Sequence, residues 1–115
     1  MKPDDRDRVY QARRILFKNI NNPLSVVELA ATVGINECYL QEGFRQLFGD
    51  TVFGCLRDYR MKEAQRLLSS ENITIAGVAA AVGYASPTAF NAAFRKKFDI
   101  SPKVYQIKMR GKSLV

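Results

Sequence analysis

The chain has 115 residues, 47% of them hydrophobic, with 18 basic and 11 acidic side chains, a net charge of +7 and no histidine. The missing histidine excludes Ser/His/Asp and Cys/His nucleophile systems and every His-containing zinc site. The acidic residues are scattered rather than paired for acid–base work, so neither enzyme activity nor a metal or cofactor is expected. The charge is uneven: residues 1–50 hold 7 basic and 7 acidic side chains and residues 51–115 hold 11 and 4, an excess that points to an anionic partner.

The opening "MKPDDRDRVY" carries three aspartates and no apolar stretch, unlike a secretory signal. A first helix is predicted from about Asp5 to Asn19, with Val9, Ala12, Ile15 and Leu16 on one face. It ends at "NNP", where Pro23 pushes the preceding residue out of helical geometry. Ser25 and Glu28 in "SVVE" form a capping box for a short second helix with Leu29, Ala30 and Val33 on its apolar face. Gly34 supplies the left-handed residue that stops it. Asn36 then caps a third helix whose Leu40, Phe44, Leu47 and Phe48 make one buried stripe.

"TVFGCLRDYRMKEAQRLLSS" reads as a longer helix capped by Thr51 and ended by Ser69 and Ser70, roughly 18 residues and about 27 Å of spacer. Cys38 and Cys55 lack metal-ligand spacing and are expected as reduced thiols, Cys55 in the core and Cys38 on an exposed face without a basic cluster to activate it.

Then the pattern returns. Thr74 takes the place of Ser25, Val78, Ala79 and Val82 the short apolar face, and Gly83 the stop; Ser86 caps, Pro87 suits the first helical position, and Phe90, Phe94 and Phe98 form the stripe. The offset is 49 residues up to Gly83 and 50 from Phe94 onward, so the second turn is one residue longer. Thr51 corresponds to Ser101 and Cys55 to Tyr105, so each copy feeds a further capped helix. The longest apolar run, "IAGVAAAVGYA", is too short to span a bilayer, and no membrane association is expected.

The fold expected is all-α, about seven helices in two helix-turn-helix subdomains joined by a central linker helix, divided as 1–50, 51–70 and 71–115. With Leu40, Phe44 and Phe48 inward, the outward stripe of the first second-position helix is Cys38, Gln41, Glu42 and Arg45; 50 residues later it is Thr88, Asn91, Ala92 and Arg95, with Lys96 beside it.

The segments "LAATVGINECYLQEGFRQLFG", "YRMKEAQRLL" and "VAAAVGYASPTAFNAAFRKKFDISPKVY" resemble the DNA-binding domain of AraC/XylS-type bacterial transcription regulators, over about residues 10–110. "FGDTVFGCLRDYRM" is similar to the siderophore-responsive, pyochelin-regulator-like branch. The resemblance implies sequence-specific binding of double-stranded DNA, with two recognition helices in successive major grooves, by a cytoplasmic activator that also meets RNA polymerase. It implies no effector ligand on this domain.

It also implies roles for the outward residues: Gln41 and Asn91 as adenine readers, Arg45 and Arg95 on guanine or phosphate, and Lys96 on phosphate. Glu42 and Ala92 depart from the basic residues often found there; Glu42 either accepts from cytosine N4 or is repelled by phosphate and sits aside, and Ala92 either touches a thymine methyl or serves as tight packing. Asp99 departs as well, standing where glycine is usual. The alternative is a helical protein-interaction module whose basic surface binds an acidic partner.

Overall fold

The structure, a computed structural model, describes residues 2–70 and 72–113, and every regular element in that range is a helix: α1 (Pro3–Lys18), α2 (Val26–Val33), α3 (Glu37–Phe48), α4 (Val52–Leu68), α5 (Ile75–Ala81), α6 (Pro87–Phe98) and α7 (Pro102–Ser113). The described residues up to Tyr59 pack as one unit and those from Arg60 as a second.

In the first unit the caps act as their spacing predicts. The Ser25 hydroxyl accepts from the Glu28 N–H at 3.1 Å, and Glu28 Oε1 accepts from the Ser25 N–H at 3.0 Å. Those bonds hold the Glu28 carboxyl below its ordinary pKa, the Ser25 backbone bond contributing most. Gly34 is left-handed at φ 78°, and the Asn36 side chain accepts from the Tyr39 N–H at 2.8 Å to start α3. The turn between α2 and α3 is tied to α1 by Arg8, whose Nη1 donates to the Gly34 carbonyl at 2.6 Å. Helices α1 to α3 and the start of α4 then close on one core, with Ala12, Leu16, Leu29, Leu40, Phe44 and Val52 at its centre. At its edge Phe17 stacks on Tyr59 with ring centroids 4.1 Å apart.

The second unit repeats this construction. Thr74 accepts from the Gly77 N–H at 2.9 Å, Gly83 turns the chain at φ 96°, and Ser86 accepts from the Ala89 N–H at 3.1 Å with Pro87 at the first helical position. Phe90 and Phe94 are fully buried, and Val78, Val82, Met61 and Leu68 are buried in the same unit. Gln106, the buried polar residue on α7, is satisfied because its Nε2 donates to the Ile73 carbonyl at 2.9 Å.

Two details go beyond the expected outline. The linker α4 serves both cores: Val52, Cys55 and Leu56 are buried in the first unit, and Met61, Ala64 and Leu68 in the second. Asp99 takes the left-handed conformation at φ 65°, so it ends α6 as Gly49, at φ 82°, ends α3.

Candidate nucleic-acid interface

An α3 whose Leu40, Gly43 and Phe44 are buried must turn its other face to solvent. There Cys38, Gln41, Glu42 and Arg45 line one open depression together with Asn36 and Glu37, so the four residues expected from spacing are brought together. Cys38, Glu42 and Arg45 are exposed and Gln41 is half-buried. Among the described residues the side chains of Glu42 and Arg45 have no ion-pair or hydrogen-bond partner, which leaves a carboxylate and a guanidinium one helical turn apart and ready for an external ligand. Gln41 is different. Its Oε1 accepts from the Val52 N–H at 2.9 Å, at the first residue of α4.

Spacing alone missed the flank of this helix. Tyr39 is 62% exposed and lines a second, smaller depression with Asp5, Val9, Glu42 and Gln46, between α1 and α3. Tyr39 belongs to the repeat segment but not to its inner stripe, and that offset was the signal that it faces out.

On α6 the corresponding face carries Thr88, Ala92, Arg95 and Lys96, all exposed, with Asn91 half-buried and its side chain unbonded among the described residues. Arg95, Lys96 and Lys97 occupy the last turn, where cations are favoured by the helix dipole. The electrostatics of the two helices therefore differ. The α3 face sets Glu37 and Glu42 against Arg45, whereas α6 carries three cations and no acidic residue. By unit the contrast is sharper: residues 1–59 hold eight basic and eight acidic side chains, residues 60–115 ten and three.

Other cations are committed within the fold. Arg13 lies over the Phe48 ring at 4.3 Å, Arg66 pairs with Glu63 and holds its carboxyl below the usual range, and Arg60 lies over Tyr84 at 5.6 Å with its guanidinium pKa lowered by burial. Cys38 and Cys55 are free thiols, and burial, reinforced by Asp50 and Asp58, pushes the Cys55 thiol up and away from reactivity. Among the described residues no cluster of His, Cys, Asp and Glu is arranged to hold a metal ion, and no helix is long and apolar enough to cross a membrane.

Comparison with known proteins places this geometry. A family described as "Helix-turn-helix domain" matches residues 29–108. The Regulatory protein PchR of Pseudomonas aeruginosa is 45% identical over 69 residues, 60% of this chain and 23% of PchR. A transcriptional regulator from Chromobacterium violaceum, with an AraC-type DNA-binding domain, superposes with a TM-score of 0.83 at 25% identity, covering 90% of this chain and 92% of that one. The DNA-binding domain of AdpA, a global transcriptional factor solved with a target DNA, superposes with a TM-score of 0.84 at 26% identity, covering 91% and 95%. The chain spans only about a quarter to a third of the curated relatives it matches. Those relatives are named as regulatory proteins and HTH-type transcriptional regulators.

Proposed function

The chain belongs to the AraC/XylS family of helix-turn-helix transcription regulators, and we propose that it binds double-stranded DNA sequence-specifically through α3 and α6, as a cytoplasmic activator. The observation that carries this is the outward face of α6, where Thr88, Asn91 and Ala92 are flanked by Arg95 and Lys96 with no acidic residue within the helix, on a helix set by a helix-turn-helix like that of the AdpA domain solved with its DNA.

In this reading each of α3 and α6 lies in a major groove, in successive grooves, with the continuous α4 of 17 residues, about 26 Å, as spacer against a DNA turn of about 34 Å. Because Cys38 and Glu42 stand where α6 has Thr88 and Ala92, the two half-sites differ and the operator is not a palindrome. Glu42 accepts from cytosine N4, Asn91 pairs with adenine, Arg45 and Arg95 contact guanine or phosphate, and Lys96 contacts phosphate. The family resemblance supports an activator role with RNA polymerase as protein partner, and the exposed Val104 and Ile107 on α7 offer apolar surface for such a contact.

Selection of bound duplexes from a random pool, read by sequencing, tests the proposal: two unlike short motifs about one turn apart are expected. A pool that stays random would overturn it. Salt-dependent binding without enrichment would make the chain a sequence-indifferent nucleic-acid binder.

A further inference from the structure

Bidentate recognition of adenine by an amide side chain uses both ends: the oxygen accepts from N6 and the nitrogen donates to N7. Gln41 lies on the outward stripe, but its Oε1 is held by the Val52 N–H at 2.9 Å. Only the oxygen of the amide is able to accept from an N–H, so this bond fixes which end of Gln41 points at α4. Val52 is fully buried, and its N–H is one of the first-turn donors that no intrahelical carbonyl reaches. Neighbouring side chains complete the start of α4: Thr51 Oγ1 accepts from the Gly54 N–H at 3.1 Å and Asp50 Oδ1 from the Thr51 N–H at 2.7 Å. The Asp50 carboxylate packs where a Cβ on Gly54 would sit, so a side chain at Gly54 would require the Asp50 carboxylate to move.

The internal repeat supplies the control. Asn91 corresponds to Gln41, Ser101 to Thr51 and Pro102 to Val52. Ser101 Oγ accepts from the Val104 N–H at 3.2 Å, so the cap is kept. Pro102, however, has no N–H to donate, and the Asn91 side chain makes no hydrogen bond among the described residues. One copy therefore ties its amide side chain to the next helix, and the other leaves it available.

We infer that Gln41 is a positioning residue that locks α3 to the start of α4, and that of the two outward amides only Asn91 reads a base. With Oε1 turned to the Val52 N–H, Gln41 is left to offer DNA its amide NH2, a donor group that any purine N7, carbonyl or phosphate oxygen satisfies and that distinguishes little. Readout by the first helix then passes to Glu42 and Arg45, whose side chains are unpartnered in the same depression. This inference rests on the DNA-binding function proposed above.

The test makes the same chemical change at both positions. Gln41→Glu and Asn91→Asp each keep an acceptor oxygen and remove the donor. Both variants and Gln41→Ala are measured by competition against every single-base-pair change of the selected site, with amide hydrogen exchange at Val52 followed by NMR. Asn91→Asp should lose at least about tenfold of its preference at one base pair, whereas Gln41→Glu should keep the parental preference within about twofold at every position. The Val52 amide should stay protected in Gln41→Glu and exchange at least about tenfold faster in Gln41→Ala. Loss of preference at a single base pair in Gln41→Glu, with Val52 still protected, would overturn the inference, and so would unchanged Val52 exchange in Gln41→Ala. If the parental chain had no sequence preference, the DNA-reading proposal would fail by itself, and Val52 exchange would still decide whether Gln41 locks the two helices.

Discussion

Asp99 ends α6 at φ 65°, a conformation that costs an ordinary L-residue about 1–2 kcal/mol and that Asp tolerates better than most. Its charge also sits at the negative end of the helix dipole. Asp99→Gly should therefore stabilise the protein by about 0.5–1 kcal/mol, seen as a higher denaturant midpoint with an unchanged slope; a lower midpoint would mean that the carboxylate holds something up. The sequence marks Asp99 only as a missing glycine, because the demand for positive φ belongs to the turn and not to the residue filling it. Gln41 is similar. Periodicity shows which way it faces, but the Val52 N–H it meets lies 11 residues away across a turn, and only the register of the repeat, with Pro102 in place of Val52, hints at the difference. Lys96, by contrast, is legible as a bare exposed cation, and Lys96→Ala should weaken binding to all duplexes alike and reduce the magnitude of the salt slope by about one. A loss confined to one sequence would show that Lys96 touches a base.

The helices themselves were the most legible level. Their caps are local chemistry, with donor and acceptor three residues apart in Ser25, Asn36, Thr74 and Ser86, so spacing was enough to place them. The inner stripes were equally plain: Phe44 and Phe94 have no exposed surface and sit at matching points of two small cores. Phe44→Ala and Phe94→Ala should each destabilise their unit by about 3–5 kcal/mol in thermal or denaturant unfolding. A parental melting curve for either would mean that the stripe is assigned to the wrong face. The capping box adds a pH dependence. The Glu28 carboxyl has its pKa lowered in the folded state, so it binds its proton less readily there than in the unfolded chain. Its contribution is thus complete above the unfolded carboxylate range and is lost as pH falls through the folded value. Glu28→Ala should remove that part of the acid sensitivity, and an unchanged difference in unfolding midpoint between neutral and acidic pH would show the box to be inert. The linker α4 was less legible, since an apolar stripe shows that a face is buried without naming the core that buries it. Val52 and Leu56 belong to one unit and Met61 and Leu68 to the other.

At the scale of the whole chain, the repeat and the charge carry the functional reading. The neutral unit bears the helix with Glu37, Glu42 and Arg45, and the unit with seven excess positive charges bears the helix with Arg95 and Lys96. On the proposed account the second unit provides most of the phosphate attraction, which positions the chain, and the first contributes mainly through base contacts. The direct measurement is titration of the intact chain against its selected duplex and a scrambled duplex of equal length at several salt concentrations. The account predicts affinity for both that falls steeply with salt, with tighter binding to the selected duplex by about a thousandfold or more at physiological ionic strength. Equal affinity for the two duplexes across the salt series would contradict it.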